Sequence, residues 1–300
     1  MRVFLSIVVF LLAHFALGGS QHVTEIRAPT VFTAPQVHRG TIKITDTFVQ
    51  FRASYTELGA YVSDPSTNMF VDLTVGPSGY LTGGAGDKWI ISGNFTNNSM
   101  QNTSWSTLLS ELDFDAGTNP HSFALAGANV GASYFGFVNN FAWGIFRLKS
   151  GQSLTLGDGN GTSGAALYAT RVTLDGGSAQ ANSITGNGFS IFYDPTDAGN
   201  NYLLTGAPNG IYNLAGGGVL APVVAVLKIN SIVRQVNQHI VLQCLGVPLR
   251  NVRVQVSSTT PDGTSFSDLT TVSVDATGNF SFDDPGAVGQ TKRFYRLAFP

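Results

Sequence analysis

Gly159, Gly161 and Gly164 stand in the stretch GNGTSG, with the G-x-G-x-x-G spacing of a loop that cradles a dinucleotide pyrophosphate. In that chemistry the glycines admit the phosphates to the backbone, and a helix must follow so that its N-terminus meets the negative charge. Here AALYATRVTLDGG follows, in which Tyr168, Thr170, Val172 and Leu174 alternate before a Gly-Gly turn, the pattern of a strand. Read from Asp158, the same stretch offers oxygens at Asp158, Asn160 and Thr162, the first three positions of a calcium loop. No Gly follows Thr162, and Ala169 stands where a bidentate Glu belongs. Both readings reduce to a glycine turn, with Asn160-Gly161 as its tight-turn dipeptide and Gly161 the residue expected at positive φ. No cofactor and no metal are expected.

Cleavage of glycans needs paired carboxylates or a base with basic partners. Only Glu25, Glu57 and Glu111 supply glutamates, while Asp113 and Asp115 straddle Phe114 and Asp283 and Asp284 fall in a turn. Asp113 and Asp115 read as a solvated strand face rather than a dyad. His22, His38, His121 and His239 are scattered without metal spacing, and no G-x-S-x-G elbow occurs. No catalytic residue is assigned. YFGFVNNFAWGIF gathers six aromatic rings, among which Tyr134 and Trp143 are the candidates to stack on a sugar if exposed; buried, the cluster is core, the reading the pattern favours. NFTNNSMQNTS holds sequons at Asn94, Asn97 and Asn102, read as a polar loop.

The elements that would position these residues are strands. WSTLLSELDF is the one stretch with a helical pattern. Elsewhere short alternating runs such as TIKITDTFVQFRASY and NMFVDLTVG end at Gly, Asn or Asp. LDFDAG, FRLKSG, LTLGDG, VTLDGG and YNLAGG repeat one plan: two inward side chains, then a glycine turn. Their unequal spacing predicts an all-β chain with an irregular β-solenoid over residues 21–221, with a jelly-roll sandwich as the alternative. After Pro222 glycine thins and six longer strands follow, from VLKINSIV to KRFYRLAF, which suits a small Ig- or fibronectin-like sandwich over residues 222–300. Within it Cys244, the sole cysteine, alternates with Ile240 and Leu242 and reads as a buried structural thiol.

The N-terminal MRVFLSIVVFLLAHFALGGSQH, one Arg before a short apolar run and then small residues, reads as a signal peptide over residues 1–20, cut after Gly18 or Ser20. The expectation is a secreted or cell-surface protein with no transmembrane span in the mature chain. Charged residues make up 11% of the sequence with a net charge of −2, so there is no basic stripe to hold nucleic acid. Extracellular glycan or cell-surface material is the partner class left.

VLQCLGVP together with DATGNFSFDDPGAVGQTKRFYRLAFP resembles the terminal Ig-like module, ending in an R-F-Y-R strand, of large families of secreted bacterial proteins. Upstream, FVDLTVGPSGYLTGGAGDKWIISGNFTNNS and GNGFSIFYDPTDAGNNYLLTGAPNGIYNLAGGGVLAP resemble Gly-rich exported β-proteins of the PEP-CTERM or autotransporter-like kind, without the PEP-CTERM sorting tail. The resemblance implies export and β architecture, not a reaction. The functional expectation is a non-enzymatic extracellular scaffold, matrix or adhesion protein; the alternative is a carbohydrate-binding or polysaccharide-degrading protein.

Overall fold

A computed structural model describes residues 23–161, 164–259, 261 and 265–299. The signal-peptide expectation, His22 and Thr162 lie outside the described residues. Contacts divide the chain into two compact units: one ends at Val223 and omits Ser133–Val138, and the other joins Ser133–Val138 to Val224–Pro300.

The first unit is a β-solenoid of about eight turns. Coil 1 holds β1 (Val23–Ile26), β2 (Thr30–Phe32) and β3 (Gln36–His38). Coil 2 repeats it with β4 (Thr41–Thr45), β5 (Phe48–Phe51) and β6 (Tyr55–Glu57), and coil 3 with β7 (Ala60–Asp64), β8 (Thr67–Phe70) and β9 (Leu73–Val75). Coil 4 holds β10 (Tyr80–Thr82), β11 (Lys88–Ile91) and β12 (Phe95–Asn97). The later coils are β13 (Thr107–Phe114) with β14 (His121–Leu125), β15 (Trp143–Leu148) with β16 (Leu154–Asp158), and β17 (Ala166–Leu174) with β18 (Ile184–Thr185). The last holds β19 (Ser190–Tyr193) and β20 (Tyr212–Asn213), with a short helix α1 (Asn201–Gly206) before β20, and β21 (Val219–Pro222) follows as a final strand laid on β19.

Like strands of successive coils pair in parallel, giving sheets in the orders β1-β4-β7-β10, β2-β5-β8-β11-β13-β15-β17-β19-β21-β20 and β18-β16-β14-β12-β9-β6-β3. Only β20, closing on β21, is antiparallel within these sheets. The two inward positions of the repeated plan become columns. Trp89, Leu112, Phe146 and Val172 are in register and fully buried, and beside them run Phe51, Phe70, Ile91, Phe114, Leu148 and Leu174. Phe32, Phe51 and Phe70 stack with ring centroids 4.9 and 5.0 Å apart and planes within 7°. Each column removes apolar surface from water on both sides of every ring, at about 25 cal/mol per Å². The alternating pattern thus resolves in favour of the solenoid over the jelly roll.

Two expectations about local elements are corrected. Asp283 and Asp284 do not fall in a turn: they close the strand Asn279–Asp284, where Asp284 is buried and accepts hydrogen bonds from Arg293 and Tyr295. WSTLLSELDF is not helical: Thr107–Phe114 is β13, with a bulge between Thr107 and Glu111 that leaves Leu109 70% exposed. Pairing with β11 and β15 supplies backbone partners on both sides, which outweighs a local preference for a turn of helix.

In the second unit the six expected strands form as β22 (Lys228–Arg234), β23 (Ile240–Leu245), β24 (Asn251–Ser257), β25 (Ser267–Ser273), β26 (Asn279–Asp284) and β27 (Phe294–Ala298). They make two three-stranded antiparallel sheets, β22-β23-β26 and β25-β24-β27. Ile240, Leu242, Cys244, Val252, Val254 and Phe280 form their shared core, with Tyr295 and Leu297 packed against it. Cys244 is buried, and that burial pushes its thiol up to about 11, which keeps it an unreactive thiol.

Candidate functional site: the charged face of the long sheet

The inward columns of the ten-stranded sheet force the residues between them onto its outer face. Lys88, Glu111, Ile145 and Arg171 form one outward row, and Ile90, Asp113, Arg147 and Thr173 the next. Their charges join one coil to another. Lys88 Nζ lies 3.1 Å from Glu111 Oε2, and Arg147 Nη1 lies 3.5 Å from Glu111 Oε1. The other nitrogens of Arg147 hold Asp175 in a fork of 2.9 and 3.1 Å, and Arg171 holds Asp197 in the same way at 2.8 and 3.2 Å. Bidentate geometry is the form in which surface ion pairs contribute most, and a chain of them is worth more than isolated pairs of about 0.2–1 kcal/mol each.

Asp113 is the unusual member. It points outward yet is only 3% exposed, and its Oδ1 has no hydrogen-bond partner. Burial, then the charge of Glu111 and a hydrogen bond shared with it, push Asp113 up to about 7 against the opposing charges of Arg147 and Lys88. For Glu111, partial burial pushes upward, but hydrogen bonds from Lys88 and Asp113 and the charges of Lys88 and Arg147 outweigh it and hold the carboxyl below its ordinary value. The pair therefore keeps one proton near neutral pH, on Asp113. Such a division of roles is what acid–base chemistry uses. The proton, however, sits on the carboxyl that is buried beneath its neighbours, out of a polymer's reach. Asp115 is not part of the pair: it lies beyond β13 and accepts a hydrogen bond from the Ala116 amide at 2.7 Å.

The sugar-stacking candidates are placed away from solvent. Trp143 is fully buried, edge-on to Trp89, Phe95 and Trp105. Tyr134 is 5% exposed and faces Phe137 and Phe299 in the second unit. Neither ring is open to a sugar: Trp143 is on the inward side of β15, and Tyr134 is buried in the 3-10 turn Tyr134–Phe137.

GNGTSG leads from β16 toward strand β17, so no helix N-terminus meets it. Asn160 turns its amide inward and donates to the carbonyls of Ser99 and Ala126 at 3.0 and 2.8 Å, stapling neighbouring coils. Gly161 takes φ 73° with open space around it, as the turn reading expects. Gly159 is glycine for another reason: a Cβ there would lie 2.0 Å from the Asn97 carbonyl oxygen. Gly159→Ala should therefore destabilise by about 3 kcal/mol through overpacking, and Gly161→Ala by about 1 kcal/mol through its positive φ alone. Urea melts of the two variants will show whether they rank in that order. Asp158 is exposed. Asp158→Ala should leave the melting temperature within a degree or so, and calcium should not raise it in either protein; a calcium-dependent rise lost in the variant would restore a metal loop here.

Glu57 and Asp87 are among the buried carboxylates that escaped the sequence reading. Glu57, fully buried, accepts hydrogen bonds from Tyr55 Oη at 2.6 Å and the Gly59 amide at 2.7 Å, with His38 Nδ1 at 3.2 Å. Asp87 accepts from Ser63 Oγ and from the Ser66 and Gly84 amides. Both lock corners between sheets; the Tyr55–Glu57 spacing in SYTELG was the available signal. Among the described residues no group of three His, Cys, Asp or Glu is placed to hold a metal ion, and no helix is long and apolar enough to cross a membrane. Comparison with protein-family models, curated proteins and solved structures finds no match to this chain.

Proposed function

We propose that the protein works outside the cell as a non-enzymatic scaffold, a surface, matrix or adhesion component made of an exported β-solenoid and an Ig-like C-terminal module. The observation that carries this reading is the outer face of the long sheet: its charges are spent on inter-coil ties, Lys88 to Glu111 to Arg147 to Asp175, rather than held ready for a ligand. A stack of coils tied in this way is stiff along its axis and suits a spacer. The order β22-β23-β26 opposite β25-β24-β27, in which the second strand pairs with the fifth and the third with the sixth, supports the Ig-like assignment of the module. Export rests on the N-terminal sequence pattern and on the resemblance to Gly-rich exported proteins. One observation favours polysaccharide cleavage instead: Glu111 and Asp113 are a carboxyl pair with divided protonation on a sheet face.

Localisation tests the reading. Expressed in a secreting bacterial host, the protein should be recovered outside the cytoplasm with an N-terminus at Gly19 or Gln21, and should hold to cell-surface or matrix material. Recovery from the cytoplasm with residues 1–20 intact would contradict it.

A further inference from the structure

The two ends of the solenoid differ. At the far end β20 turns back on β21, and α1 and its flanking turns bury Leu203 and Leu214 over the last coil. At the near end β1, β2 and β3 are the outermost strands of all three sheets, and all belong to coil 1. None of their ten residues is buried, whereas coil 2 beneath them buries Ile44, Val49, Phe51 and Tyr55. Coil 1 covers the core, and no described residue covers coil 1.

Among the described residues the backbone of this edge is unspent. The Phe32 carbonyl accepts from the Arg52 amide at 2.8 Å, and Thr30 and Phe32 are in register with Val49 and Phe51. In a parallel ladder a residue directs its N–H and C=O to the same neighbour, and the next residue directs them the opposite way. Val31 therefore aims both groups away from β5. The Gln36 amide reaches Ser54 and the His38 carbonyl accepts from Leu58, which leaves Val37 aimed outward in the same manner. The side chains of Val23, Val31 and Val37 are 58, 37 and 64% exposed. Neither proline nor a charge blocks the edge at Val31 or Val37, though edges left open in this way are templates for pairing.

We propose that this edge is a self-association face, joining two copies head to head about a two-fold axis. The axis passes by β2, so Val31 of one copy meets Val31 of the other in an antiparallel pair that exchanges both N–H···O=C bonds, while β1 of each copy runs along β3 of the other. A coil here spans the steps Val23 to Thr41 and Thr41 to Ala60. The proposal rests on the export reading: a cut after Gly18 or Ser20 leaves too few residues before Val23 to build a further coil. The closed far end limits assembly to a dimer rather than a fibre.

Sedimentation equilibrium on the chain beginning at Gln21 tests this. A dimer at micromolar concentration is expected. Val31→Pro with Val37→Pro removes two outward amides without touching the β2–β5 or β3–β6 ladders, and should weaken the dimer at least a hundredfold with the circular dichroism spectrum unchanged. Should that variant fail to fold, Val31→Lys and Val31→Glu serve: each alone should be monomeric, and mixing them should restore a dimer. A wild-type monomer at 100 μM, growth beyond a dimer, or a dimer indifferent to these changes would overturn the proposal. The N-terminal mass of the exported protein is a separate readout, so a failure of the export reading is not confused with a failure of the edge.

Discussion

At pH 8, Asp113→Asn is expected to melt well above the wild type, and at pH 4 the two should melt together. The Asp113 carboxyl of the folded chain keeps its proton up to about 7, through burial and the Glu111 charge beside it, whereas an unfolded aspartate releases it near 3.9. A folded value raised above the unfolded one means that the native state binds the extra proton in between. The stability drawn from neutral Asp113 is thus complete below about pH 4 and is lost as pH rises through about 7. Asparagine cannot ionise, fills the same volume and can still donate to Glu111, so the variant keeps what the wild type loses, about 4 kcal/mol at pH 8. Glu111, held below its ordinary value, works in the opposite sense: its contribution is present above that value and is lost only as pH falls through the lowered one. Thermal melts of both proteins from pH 4 to 9 check this, and curves that stay superimposed at pH 8 would mean Asp113 is ionised in the fold.

Trp143→Ala is expected to destabilise the solenoid by about 4 kcal/mol, in the range for large aromatic deletions from a packed core. Trp143 is fully buried where three aromatic contacts converge, with Trp89, Phe95 and Trp105 at 6.1 to 6.4 Å between ring centroids. Trp89 and Phe95 are fixed by two ladders of coil 4, and Trp105 by its hydrogen bond to Thr107 at 2.7 Å, so they cannot collapse together to fill the gap. A sugar-stacking tryptophan would behave in the opposite way, losing ligand retention while keeping the melting temperature. Denaturant melts of the variant separate the two: an unchanged midpoint would take Trp143 out of the core and return it to the candidate binding residues.

What the sequence made legible was local. Leu112 and Phe114, Phe146 and Leu148, and Val172 and Leu174 announce inward pairs followed by glycine turns, and the coils form on them. The β13 misreading has the same origin, since the Leu108–Leu109 doublet and Glu111 imitate a helical face when the ladder partners on β11 and β15 are out of view. The charged face was less legible. Arg147 lies 34 residues from Asp113 and Asp175 another 28 from Arg147, and these intervals follow coil lengths that grow from 18 and 19 residues in the first coils. No periodicity fixes which charges meet. Glu111 and Asp113 are two apart and share a face once β13 is known to be a strand, which is why the pairing first read as Asp113 with Asp115 moves by one turn of the pleat.

The central claim is that the carboxylates and arginines of the long sheet tie coils together and do not cut a substrate. The direct test is release of reducing ends from a panel of neutral, acidic and amino polysaccharides by the purified chain beginning at Gln21, beside Glu111→Gln and Asp113→Asn. The account predicts no release from any of the three proteins. Release by the wild type that vanishes in both variants, while their melting temperatures hold, would contradict it and make the Glu111–Asp113 pair an active site.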